Sequence, residues 1–168
     1  MKQVELTEAM AQKYPEWVVF VIAAGKDGKA NQMPAGWVMF TSGSPAMVAV
    51  SVQPKRHTHK LIEESGEFVR AWAGVGQEEL VKYAGATSGR GVDKFVQMNL
   101  AKSPAAVVKA PLLEGAAMAL ECKVAGKLTT GDHTIFAGRI VAAHVADPPV
   151  AKIMNFGQER YLPAVMKK

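Results

Sequence analysis

Trp17-Val18-Val19-Phe20-Val21-Ile22-Ala23-Ala24 is an unbroken apolar run, rich in β-branched side chains. Its lack of a polar position on either side of an extended chain predicts a strand buried on both faces, part of the core. It is far short of the ~20 residues that cross a bilayer as a helix. The Gly25-Lys26-Asp27-Gly28-Lys29 segment that follows carries the Asp-Gly signal of a tight hairpin. Residues 37–41 and 46–53 read as further strands around Ser42-Gly43-Ser44-Pro45, and antiparallel pairing is the simplest topology. Between Thr58 and Ser65 the pattern predicts a short helix with Thr58 as N-cap and Gly66 as its stop.

Residues 67–72 predict another strand. Residues 77–84 and 92–98 predict short helices flanking a glycine-rich loop over 85–91. Two longer strands are expected over 116–128 and 133–146, joined by Thr129-Thr130-Gly131-Asp132. In the first of them Met118, Leu120, Cys122 and Val124 share one face while Glu121 and Lys123 share the other, the alternation of a half-buried strand. Strands bracket the helices and no regular βαβ alternation appears. The expected fold is therefore mainly β with short helices, an antiparallel barrel that is closed or partly closed. With 168 residues, 49% of them hydrophobic, one domain over 1–168 is expected.

The 20 Lys and Arg against 15 Asp and Glu give a net charge of +5. The excess fits nucleic acid, acidic lipid or a phosphorylated small molecule and chooses none of them. No basic run, zinc-finger spacing or aromatic-basic stripe supports nucleic acid. Residues 1–11 carry Glu5 and Glu8 and no apolar run, so neither a secretory signal nor a membrane anchor is expected, and the location expected is cytoplasmic. A single cysteine, Cys122, leaves no internal disulfide, CxxC pair or cysteine metal cage. His57 and His59 lack a third ligand, so no metal is expected. Electrons, if moved, would ride on a bound cofactor.

Three segments carry candidate chemistry. Ser51-Val52-Gln53-Pro54-Lys55-Arg56-His57-Thr58-His59-Lys60 leaves a strand and enters a helix, bringing cations, hydroxyls and helix N-terminal amides together, as a phosphate needs. From charge alone a solvated basic turn accounts for it as well. In Asn31-Gln32-Met33-Pro34-Ala35-Gly36-Trp37 small residues let main-chain amides approach a flat ligand; the other reading is an inter-strand turn with Trp37 in the core. Gly85-Ala86-Thr87-Ser88-Gly89-Arg90-Gly91-Val92-Asp93-Lys94-Phe95 is a permissive loop ending in a charged pair and an aromatic ring, and matches neither a dinucleotide nor a P-loop spacing.

In their order and spacing these pieces resemble the flavin reductase-like family with the FMN-binding split barrel, especially its flavoredoxin-like branch. The matching blocks are Asn31-x-Met33-x-x-Gly36-Trp37, then Arg56-x-Thr58-x-x-Leu61-Ile62-x-x-Ser65-Gly66-Glu67-Phe68, then Gly85-x-x-Ser88-Gly89-x-x-Val92-Asp93-Lys94-Phe95. Ala110-Pro111-Leu112, Leu120-Glu121-Cys122-Lys123 and Gly131-Asp132-His133 follow, and the resemblance runs from about Pro15 to about Tyr161. It implies a Greek-key split barrel and a homodimer with FMN near the subunit interface. Asn31, Met33, Pro34, Ala35, Gly36 and Trp37 would lie along the isoalloxazine ring. Ser51, Arg56, His57 and Thr58 would take the phosphate, and Ser88, Gly89, Asp93, Lys94 and Phe95 would complete the pocket. Where the family commonly carries an Asn after the Gly-Glu-Phe block, this chain reads Val69-Arg70-Ala71-Trp72.

The function implied is an NADH- or NADPH-dependent flavin reductase, or a flavoredoxin-type electron carrier reduced by a protein partner. His133 stands where the family motif places a His near the cofactor's open face, a role in nicotinamide positioning that weighs evenly against a plain turn histidine. His144 reads as structural and Cys122 as a small buried thiol. No Ser-His-Asp order, paired-carboxylate motif or Walker loop appears. Hydride transfer between cofactors needs none: the protein supplies geometry, water exclusion and hydrogen bonds.

Overall fold

A computed structural model describes residues 1–164. In chain order its elements are α1 (Leu6–Ala11), β1 (Glu16–Trp17), β2 (Val19–Ala24), β3 (Ala30–Ala35), β4 (Val38–Gly43), β5 (Ala46–Val52), α2 (His57–Ser65) and β6 (Glu67–Trp72). Then come α3 (Glu78–Ala86), α4 (Lys94–Gln97), β7 (Lys102–Ser103), β8 (Leu112–Leu113), β9 (Met118–Thr130), β10 (His133–Val145), β11 (Ile153–Asn155) and β12 (Tyr161–Pro163). Seven strands form one antiparallel sheet in the order β3-β2-β6-β9-β10-β5-β4. The sheet rolls on itself: Arg70 on β6 donates to the carbonyl of Met39 on β4 at 3.3 Å, although β9, β10 and β5 lie between those strands along the sheet. Its two edges, β3 and β4, are joined in sequence by Gly36-Trp37, and the barrel is split there.

Every residue of β2 is buried, and the reason is packing on both sides. Val19, Val21 and Ala23 point into the barrel with Val48, Val50, Phe68 and Phe136. Phe20, Ile22 and Ala24 point outward under Leu80, Val81, Ala84 and Phe95 of the helices. The facing expected of β9 holds, but the strand is not half-buried there, since Ala119 and Glu121 on the other face are buried as well. Leu120 and Cys122 lie inside the barrel. Gly138 on β10 faces them at a register shift; a Cβ there would come within 2.6 Å of Phe68 Cζ. Only glycine lets those strands close.

Three local expectations need correction. Residues 31–35, expected as part of a loop, belong to β3; an edge strand pairing with β2 alone tolerates Pro34, because the missing N–H faces away from any ladder. The glycine loop expected over 85–91 begins later, since α3 runs through Gly85 to Ala86. Thr58 is not the N-cap of α2: the helix begins at His57, Arg56 occupies the cap position, and no side chain caps the end. Gly66 does stop α2, in a left-handed conformation (φ 68°) with its N–H on the Ile62 carbonyl. The helix α1 lay outside every sequence expectation; it buries no residue, so no apolar periodicity announces it.

Candidate functional site

β5 ends at Val52, and the turn through Pro54 delivers the chain into α2 with its first-turn amides uncapped. Helix N-termini of this kind present N–H groups and partial positive charge to an anion. A cleft of about 370 Å³ opens there, between the turn and the 84–90 segment, with Lys55, Arg56, Ser88 and Arg90 on its walls. Its floor is rigid. Thr58 is 1% exposed, and its hydroxyl accepts from Asn31 Nδ2 at 2.7 Å, tying β3 to α2. Asn31 Oδ1 and His57 Nδ1 are buried at this cleft without a hydrogen-bond partner. A side chain at Gly89 would overlap Asn31 Oδ1 and crowd His57, so only glycine lets the 84–90 segment lie against them. Burial lowers the His57 pKa, with Arg90, Lys60 and Lys94 adding to it, so the neutral imidazole is favoured.

Lys94 is also buried here, but its ammonium is already engaged. It donates to the carbonyls of Ala84 at 2.7 Å and Gln32 at 3.0 Å, which fastens α4 to β3 and to the end of α3. Burial, and then the Arg56 charge, push its pKa down to about 8. Asp93 caps α4 by accepting from the N–H groups of Phe95 and Val96. Phe95 is a core residue at 3% exposure and reaches neither this cleft nor the next.

A second cleft of about 220 Å³ continues the first, and Met33, Arg56 and Gly85 line both. Pro34, Ala35, Gly36 and Trp37 form one side of it; Ser51, Gln53 and His133 form the other. The Trp37 and His133 rings lie 4.7 Å apart, tilted by 38°. His133 Nδ1 meets Asp132 Oδ1 at 2.6 Å, and Gln53 Nε2 donates to Asp132 Oδ2 at 2.6 Å, so the imidazole is oriented from behind. Those two hydrogen bonds, that of His133 first, hold the Asp132 carboxyl below the usual carboxylate range.

The structure thus gathers Asn31, Met33, Arg56, His57, Thr58, Ser88, Gly89 and Lys94 at a cationic end. It places Pro34, Ala35, Gly36, Trp37 and His133 at an aromatic end. Ser51 belongs with the aromatic end, its N–H on the Trp37 carbonyl at 3.0 Å, and not with the helix N-terminus. Trp37 is 49% exposed, so the alternative of a core Trp37 is excluded. His59 turns away from the cleft and bonds Thr134 Oγ1 at 3.0 Å. The family resemblance assigns no role to Lys55, Arg90 or Gln53, though all three lie in the segments read as candidate chemistry. Arg90 carried a signal, a cation between two glycines; the Gln53–Asp132 contact joins residues far apart in sequence and carried none.

Two buried titratable groups serve the scaffold. Glu121 is fully buried, which raises a carboxyl pKa, yet the N–H groups of Ala106, Val107 and Val108 and the His144 imidazole hold it low. It pins the 104–110 segment to the outside of β9. The Cys122 thiol is pushed up to about 12 by burial, which leaves it inert. Among the described residues no group of three His, Cys, Asp or Glu side chains could hold a metal ion. No described helix is long and apolar enough to cross a membrane.

The family model described as a flavin reductase like domain matches residues 10–164. A protein of Pyrococcus abyssi of uncharacterized function is 36% identical over 123 residues, 73% of this chain and 70% of that protein. The solved FMN-binding protein from Thermus thermophilus with bound p-hydroxybenzaldehyde superposes with a TM-score of 0.85 at 28% identity, covering 100% of this chain and 96% of that one. The flavoredoxin of Desulfovibrio vulgaris (Miyazaki F) does so with a TM-score of 0.84 at 25% identity, covering 100% and 96%.

Proposed function

The chain belongs to the flavin reductase-like domain family, and on that footing we propose that it holds FMN along the groove from Arg56 to Trp37 and serves as an NADH- or NADPH-dependent flavin reductase. The observation that carries this reading is the continuity of the two clefts through Met33, Arg56 and Gly85. A ligand with an anionic tail, a polar chain and a flat ring matches that order of surfaces. Lys55, Arg56 and the α2 amides take the phosphate. Asn31 Oδ1 and His57 Nδ1 stay buried and unpartnered beneath Gly89, so they would shape the floor under the polyhydroxyl chain. Met33 to Trp37 lie along the ring.

When bound, the flavin supplies the ring that accepts hydride from a nicotinamide. The residues position and shield. Asp132 fixes the His133 tautomer with Nδ1–H toward the carboxylate, which leaves Nε2 free at the groove. The Trp37 indole and the His133 ring would cover the outer end of the groove and hold a second aromatic ring against the flavin. We place the protein in the cytoplasm, where reduced nicotinamides are available.

The family's dimer belongs to this reading too, with FMN near the interface. What supports it is the edge strand β4, where Met39 and Phe40 are 57% and 58% exposed beside Trp37. A second reading, a flavoredoxin-type carrier reduced by a protein partner, is favoured by the likeness to the Desulfovibrio vulgaris protein. Purified protein should be yellow or take up FMN on titration, and anaerobic NADH or NADPH should bleach its flavin absorbance within seconds. Bleaching only with a reduced partner protein would select the carrier. No flavin uptake at all would overturn both.

A further inference from the structure

Arg70 sits where a barrel core calls for an apolar side chain. It pairs with Val21 on β2 and Leu120 on β9 and lies on the inner face of β6 between Phe68 and Trp72. It is 2% exposed, and among the described residues no carboxylate pairs with it. Burial pushes its pKa down to about 10, and its Nε has no hydrogen-bond partner. Taking a cation out of water is costly, and an apolar side chain of similar volume often fills such a position with no loss of stability. Filling the core does not account for a guanidinium here.

What the guanidinium adds is reach across the split. β4 pairs with β5 alone, and the bond from Arg70 Nη1 to the Met39 carbonyl is, among the described residues, the only hydrogen bond that β4 makes to any other strand. Two aromatic rings close around it. Phe40 and Trp72 lie 6.0 Å apart at 25°, and the guanidinium stands 4.2 Å from the centre of the Trp72 ring and 5.2 Å from that of Phe40. Such contacts orient a guanidinium that has no counter-ion. Met39 follows Trp37 by two residues, and the Trp37 carbonyl accepts from the Ser51 N–H on β5. The crossing that carries the exposed indole is therefore braced from two sides, by Ser51 on β5 and by Arg70 on β6.

We propose that Arg70 is a positioning residue for the aromatic end: by fastening Met39 to β6 it fixes the start of β4, and with it where the Trp37 indole lies along the flavin ring. Without that brace β4 is free to swing about β5, and the Trp37–His133 pair opens. The inference rests on the reading that Trp37 meets the ring. Arg70 lines neither cleft of the groove, so its effect runs through Trp37 and spares the phosphate end.

A double-mutant cycle separates positioning from general support. Titrate the full chain and its Arg70→Met, Trp37→Ala and R70M/W37A variants with FMN and with riboflavin. Arg70→Met should weaken both flavins by the same factor, about three- to tenfold, as for one lost hydrogen bond. In the Trp37→Ala background it should add nothing. Unchanged affinities in Arg70→Met, or an equal loss with and without Trp37, overturn the proposal and leave Arg70 a scaffold residue. A loss confined to FMN overturns it too, because the effect then lies at the phosphate. Arg70→Met removes a buried charge without opening a large cavity, so it should fold; Arg70→Leu carries the same cycle if it does not. Wild-type protein that binds no flavin, or Trp37→Ala protein that binds both as tightly as wild type, refutes instead the placement of the ring on which the inference rests.

Discussion

The two ends of the groove are built differently. The cationic end stands on buried ground: Asn31, Thr58 and Lys94 are 4%, 1% and 3% exposed, and each is tied to another element by a hydrogen bond. The aromatic end stands on an edge, with Trp37 and its neighbours Met39 and Phe40 about half exposed and His133 at a hairpin turn. A preorganised anion site costs little reordering when ligand arrives. An exposed aromatic end invites a second surface, a nicotinamide or a partner subunit. On the proposed reading, the difference teaches that the fixed end would anchor the phosphate and the exposed end would hold the ring and whatever meets it.

The sharpest way to break that contrast is Gly89→Ala. The added methyl overlaps Asn31 Oδ1, and forced overpacking should cost about 1–3 kcal/mol of folding stability, while the displaced 84–90 segment should lower FMN affinity. Circular dichroism should show the fold retained, because the clash lies in a surface segment. Unchanged affinity by titration would show that the cationic end is pliable.

Thr58→Val comes next. It leaves Asn31 Nδ2 buried without an acceptor and should destabilise the protein by about 1–3 kcal/mol in denaturant unfolding. A neutral result would mean that Asn31 swings to another acceptor and that the floor is not fixed. The smallest effect on stability belongs to Trp37→Ala, within about 0.5 kcal/mol for an exposed side chain. The same change should slow hydride transfer in stopped-flow measurements. A large loss of stability would show that the aromatic end is part of the scaffold after all.

The same contrast explains what could be read from sequence. The strand buried on both faces appears over Val19–Ala24 with Trp17 left exposed on β1, and β9 keeps the expected facing although Glu121 on its other face is buried too; these and the Gly66 stop rest on local periodicity and backbone freedom. Thr58 was recognisable as a site residue by resemblance, yet its role is the buried partner of Asn31; that contact spans β3 and α2, which no local pattern encodes. Lys94 and Phe95 sat in a matching block, and tertiary packing turned one toward main-chain carbonyls and the other into the core. Ser51 lies one strand turn from Arg56 in sequence, but its pairing with Ile135 carries it to the aromatic end.

The account's central claim is that Arg56 reads the phosphate and Trp37 reads the ring. Riboflavin, which is FMN without its phosphate, separates the two. Equilibrium titration of Arg56→Ala should show FMN affinity reduced by about ten- to a hundredfold, as for a lost charge-assisted hydrogen bond, with riboflavin affinity unchanged. Trp37→Ala should weaken FMN and riboflavin by the same factor. If Arg56→Ala weakens riboflavin as much as FMN, or leaves FMN untouched, the phosphate does not lie at the N-terminus of α2 and the account is wrong.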